Sequence, residues 1–220
     1  MSTRAEFLTN LRIRLDDTDA NGYRWSDDEL NLYLAESAMR YSKVLPRRRD
    51  QEFTADGSTR YNAPADLLDR QIHEVMTVRG STATDIPNKM FRFRNSSRWF
   101  EVIDAELVFG FIIPSGTTIQ LRYGATHTMP DDDVTDSSVP DEDTDMIYLW
   151  AEALAWRRLS GNDAALSRWK EDGSRDDSPM IPHHVLLERQ YEKLAREKKA
   201  GGRFLTLVRP QSRNRLSDLR

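Results

Sequence analysis

The chain of 220 residues contains no cysteine, which excludes disulfide staples and thiolate metal sites and leaves the redox compartment undetermined. Long apolar runs are missing as well. No stretch approaches the roughly 20 residues needed to cross a bilayer, and Met1-Ser2-Thr3-Arg4 leads into an amphipathic pattern rather than a signal-peptide core. Synthesis in the cytoplasm and no membrane partner are the expectations. Apolar residues are only 38% of the chain against 31% charged, a polar balance for a chain long enough to bury a real core. Much of it is therefore expected to be surface, arm or contact between subunits. Strong basicity is lacking too, since the pI is near 5.7, below what a dedicated DNA-binding domain shows.

What is present is segregated charge. A net charge of −4 hides eight acids and no base in residues 131–145, against Arg40, Lys43, Arg47, Arg48 and Arg49 with no acid in residues 40–49. The last twenty residues add Arg203, Arg209, Arg213, Arg215 and Arg220 against Asp218 alone. Each run by itself reads as a solvated face. Opposite signs at separate places on one chain favour docking between subunits or onto a partner. The candidate subunit or channel charges are Arg47, Arg48, Arg49, Asp131, Asp132, Asp133, Asp141, Asp143 and Asp145.

The periodicity gives an order of elements. Phe7, Leu8, Leu11 and Leu15 predict a first helix over 3–15. Tyr23-Arg24-Trp25-Ser26-Asp27-Asp28-Glu29-Leu30 opens a second with a capping box between Ser26 and Glu29 and a staple between Trp25 and Leu30. That helix carries Leu30, Leu34, Ala38 and Tyr41 on one stripe and stops at Pro46. From 51 to 128 the period falls to two. A hairpin is expected from 51–54 and 61–63 around Ala55-Asp56-Gly57-Ser58, then strands over 72–78, 90–94, 99–103, 107–113 and 117–123. A third helix over 141–159, apolar on most sides, is the candidate centre of the bundle, with Gly161 at its C-terminal cap. A short helix over 162–169, a polar linker over 170–178 and a last helix from Pro182 with Leu187, Tyr191 and Leu194 follow, until Gly201-Gly202 breaks it. The fold class is α+β: a helical bundle from 1–48 and 139–200, an inserted small antiparallel β-sandwich or barrel over 49–130, and an extended C-terminal arm over 201–220. Phe204-Leu205-Thr206-Leu207-Val208 makes that arm a candidate for strand addition to a sheet edge elsewhere.

The chemistry-bearing patterns are thin. Asp141-x-Asp143-x-Asp145 with Glu152 mimics the spacing of a calcium loop, but its sixth position is Met146 where the turn requires glycine. His183-His184 has no carboxylate or cysteine pattern of a metal site, and His73 and His127 lie in the strand region without a nucleophile signature. No phosphate-binding glycine loop and no strand-turn-Ser motif occurs. Neither enzyme activity nor a cofactor nor a bound metal is expected.

The sequence of a leading helix, an acidic turn, Tyr23-x-Trp25-Ser26-Asp27-x-Glu29-Leu30, and Tyr61-Asn62-Ala63-Pro64-Ala65-Asp66 running into 72–78 resembles the head-to-tail adaptor, or connector, proteins of tailed bacteriophages over residues 1–160. The resemblance implies a virion structural protein forming a homo-oligomeric ring, commonly of 12 copies, below the portal, with a tail or stopper protein beneath it and genomic DNA passing through the channel unread. It implies that the arm, carrying Arg203, Phe204, Leu205, Leu207, Val208, Arg209, Arg213 and Arg215, reaches toward the portal. The inserted strands depart from the shortest, nearly all-helical members. The alternative is a soluble nucleic-acid-binding or regulatory module.

Overall fold

The structure, a computed structural model, describes residues 2–19, 22–80, 82–86, 88, 98–130, 132, 135–161 and 183–206, with 201–206 as backbone only. In chain order the elements are α1 (Arg4–Arg14), α2 (Asp27–Val44), β1 (Arg47–Thr54), β2 (Arg60–Asn62), β3 (Leu67–Arg79), β4 (Thr82–Asp85), β5 (Phe100–Ile103), β6 (Glu106–Phe109), β7 (Thr118–Ala125), a 3₁₀ turn (Asp141–Asp143), α3 (Thr144–Ser160) and α4 (His183–Thr206). The fold is α+β, with the strands lying in the sequence between α2 and α3.

Local chemistry sets the helix boundaries. At α2 the Glu29 amide donates to Ser26 Oγ at 3.3 Å while the Ser26 amide donates to Glu29 Oε2 at 3.2 Å, and Trp25 and Leu30 are both buried behind this box. The same device, unread in the sequence, starts α1 through Thr3 and Glu6. Pro46 forces the residue before it out of helical geometry, and Leu45 accordingly sits at φ −133°, ψ 88°. The four stripe residues of α2, Phe7 and Leu11 of α1 and Leu15 at its C-cap all lie in one hydrophobic cluster. α3 touches each of the other three helices, as its nearly all-round apolar surface demands. It begins at Thr144, after a 3₁₀ turn formed by the acids expected to open it. Gly161 does occupy its C-cap, but at φ −82°, an ordinary right-handed conformation.

Two expectations fail for identifiable reasons. α4 continues through Gly201 and Gly202 to Thr206. Two glycines weaken a helix by about 1 kcal/mol each without removing a hydrogen bond, as proline would. The 51–54 and 61–63 segments do not form a hairpin. β1 pairs with β7, from Arg47 opposite Ala125 to Thr54 opposite Thr118, and β2 pairs with β6. The Asp56-Gly57-Ser58 turn is real, with Gly57 at φ 94° and the Ser58 amide on Asp56 Oδ1, but it carries the chain from one sheet to the other. Phe53 and Tyr61, on either side of it, stack with ring centroids 5.3 Å apart.

One antiparallel sheet has the order β1-β7-β3-β4 and the other β2-β6-β5, and neither closes into a barrel. Both contribute to a second hydrophobic cluster, Val75, Ile119, Leu121 and Tyr123 from the first sheet and Phe100, Val102, Leu107 and Phe109 from the second. The β5–β6 connection places Asp104 and Ala105 at φ 48° and 62°, the left-handed pair of a tight hairpin turn. The readings of 90–94, 162–169, 170–178, Pro182 and 207–220 fall outside the described residues.

Candidate interaction surfaces

Charge in this chain is consumed from the inside outward. Arg12 lies on the core side of α1, 6% exposed. Its guanidinium donates to Asp17 at 2.7 Å, to Asp27 at 2.5 Å and to the Trp25 carbonyl at 3.1 Å, with the Tyr23 ring 3.7 Å away. Asp17 also accepts the Arg24 amide at 2.8 Å. A buried charge is tolerated when it is paired and hydrogen-bonded in this way, and here the pairing fixes the α1–α2 connection. Arg14 reaches across to Asp145 and Glu152 of α3. Burial raises the Glu152 carboxyl above its ordinary range, and Arg14 partly offsets that. Arg158 joins Glu29, and Arg157 joins Glu188, so α3 is tied to α2 and α4.

A polar joint stands where the helices meet the strands. The Tyr41 hydroxyl donates to Asp143 at 2.6 Å, and Lys198 of α4 pairs with the same buried carboxylate. Burial first, then this hydrogen bond, raise the Tyr41 hydroxyl far above its usual value. Next to Tyr41, ring centroids 5.0 Å apart, lies His127. Its amide donates to Ser42 Oγ at 2.7 Å, and its ring nitrogens lie 2.8 Å from the Ser138 carbonyl and 3.1 Å from that of Leu45. Burial is the largest influence on this imidazole and holds it below its ordinary value. Arg40 stacks on Trp150 at 3.6 Å, closing the α2–α3–α4 contact beside Tyr191, whose hydroxyl burial pushes up to about 12.

The charge clusters expected at interfaces are partly dismantled by these contacts. Arg47, Arg48 and Arg49 lie on the exposed β1, an edge strand rather than a helix end. Arg49 pairs with Asp66 at 2.7 Å, where the Tyr123 hydroxyl also donates at 2.8 Å. Burial would raise Asp66, but these two donors prevail and hold it below its usual range. Asp143 is buried in the joint, and Asp145 pairs with Arg14 while its side chain stays 72% exposed. Asp132 caps Thr135, Asp141 is exposed near Ser2, and Asp131 and Asp133 lie outside the described residues. Of the arm, residues 203–206 are helical and the rest is outside the described residues. Sequence reasoning missed Arg12 and Lys198, and named His127 only as a histidine of the strand region without a nucleophile pattern. Only Arg12 left a signal, a cation four residues after Leu8 on an apolar stripe.

Among the described residues the acids of the sequence motifs are engaged in structural contacts. The calcium-loop mimic is broken up, since Asp143 serves Tyr41 and Lys198 while Asp145 and Glu152 serve Arg14. Among the described residues no three His, Asp or Glu side chains are placed to hold a metal ion. His183 packs edge-on against Trp156. On the outer sheet face, Arg122 is held by Asp50 and Glu74 at 2.9 Å each, in a shallow hollow that Glu52 also lines.

The class of the protein is given by its family. This chain is a member of the SU10 adaptor protein family, a family of phage head-to-tail adaptors, whose profile matches residues 2–177. No curated protein matches it. Membership places it in the phage virion as a structural protein, associated with portal and tail components. None of the described helices is long and apolar enough to cross a membrane.

Proposed function

We propose that the chain forms a ring of about twelve copies below the portal, joining capsid to tail around the exit channel of the genome. The helices of 1–48 and 139–200 make the ring wall, the strands of 49–130 form an insert on it, and 201–220 is the arm that docks on the portal. DNA passes without being read. The subunit is made in the host cytoplasm and enters the virion during assembly.

The observation that carries this reading is the family match over 2–177. Two features of the chain support it. Among the described residues Leu194 and Ala195 are the last on the hydrophobic core and Lys198 still pairs with Asp143, and the stretch after Gly201-Gly202 is basic in sequence, with five arginines against one aspartate. Among the described residues of the acidic stretch, Asp132, Asp136, Asp141, Glu142 and Asp145 are exposed and Asp143 is buried, a negative surface suited to repel passing phosphates.

Removal of 203–220 tests the arm. The shortened chain is expected to keep its thermal midpoint and to lose binding to the portal in a pull-down or by interferometry. Docking at unchanged affinity would refute the arm assignment.

A further inference from the structure

On α2 the side directly opposite the core carries Leu32 and Met39, 64% and 58% exposed. Between them lies Ala35, also exposed, and the ridge ends in exposed Asp28 and Lys43. Positions 28, 32, 35, 39 and 43 are spaced by three or four residues, the spacing of a helix–helix seam. Neither Asp28 nor Lys43 has an ion-pair partner among the described residues. Large apolar side chains at such positions stabilise nothing in the isolated subunit.

We infer that this ridge binds a second copy of itself, antiparallel, about a two-fold axis between residues 35 and 36. In that register Asp28 of each copy meets Lys43 of the other and Leu32 meets Met39, and the small Ala35 lets the two helices approach closely. The opposite charges at the two ends of the ridge make it complementary to its own reverse and set a parallel partner charge against like charge. Glu36 lies to one side of the ridge and stays in water. A self-complementary patch joins copies in pairs and cannot close a ring, so the pair is a state of the free subunit, separate from the ring and portal contacts proposed above. Four helical turns of contact bury less than the roughly 1,000 Å² typical of a stable interface, and the pairing is accordingly weak and visible at high concentration.

Sedimentation of the full chain over a wide concentration range tests this. The unmodified chain is expected to move from the mass of one copy toward two. Leu32→Asp or Met39→Asp abolishes the shift with the helical circular dichroism unchanged, both sites being exposed. Asp28→Lys or Lys43→Asp alone weakens pairing about tenfold, since each change places like charges at both ends of the seam, and the double exchange restores it. Because the chain has no cysteine, Ala35→Cys gives a disulfide-linked pair only through this face. A mass independent of concentration, or a double exchange no better than either single one, overturns the inference. Neither result bears on portal docking by the truncated chain.

Discussion

A few charged residues of this subunit sit where water is scarce, and these are costly to unpair. Arg12 is the clearest case, because its partner Asp17 is only 3% exposed and would be left as an uncompensated buried carboxylate if the guanidinium were removed. Arg12→Ala is expected to lower the unfolding free energy by about 3 kcal/mol, read from urea denaturation. A loss under about 1 kcal/mol would mean that water takes over the role of the side chain. His127 gives the joint a pH dependence. Its folded-state value lies below the ordinary one because burial disfavours the imidazolium, so as pH falls the unfolded chain takes up the proton first. The stabilisation is complete above the ordinary histidine value of about 6.5 and declines below it. Urea midpoints should therefore fall from pH 7.5 toward about pH 5, and His127→Gln should flatten that slope. Burial shifts His73 the same way, which leaves part of the slope in place. An unchanged slope in the variant would show that His127 is not the group responsible.

At the scale of elements, what could be read in the chain was whatever is encoded within a few residues. The capping box of α2, its stop at Pro46 and the single buried face of Ile119, Leu121 and Tyr123 in β7 all follow from neighbours in sequence. Strand partners do not. The turn at Asp56-Gly57-Ser58 is locally evident, yet nothing near it says that Phe53 will pair with Ile119 rather than fold back toward Tyr61. Lys198 and Asp143 meet for the same reason, by packing of α4 on the bundle, and no local pattern announces them. The end of α4 is the converse case, in which a local rule was overridden. Replacing Gly201 and Gly202 by Ala should stabilise that turn by roughly 1 kcal/mol per site and raise the helical signal at 222 nm. No gain in helicity would indicate that the glycines break the helix and that the arm starts there.

For the molecule as a whole, the two hydrophobic clusters share no residue, and the chain enters and leaves the strand region at one place. Leu45 and His127 are joined there by a contact of 3.1 Å between the imidazole and the Leu45 carbonyl, and His127 also bonds Ser42. A chain in which residues 47–125 are replaced by a few glycines and serines therefore needs to span only a short gap, well within the reach of about 3.3–3.6 Å per extended residue. The helical cluster would lose none of its buried members, which come from 7–41 and 139–191. The shortened protein is expected to show a helical spectrum, a cooperative thermal transition and portal binding through its unaltered C-terminal arm. Lost cooperativity, with dye-binding apolar surface, would mean that the strands are needed to order the helices and that the subunit is one folding unit. A cooperative fold that no longer binds the portal would instead place part of the docking surface on the strands.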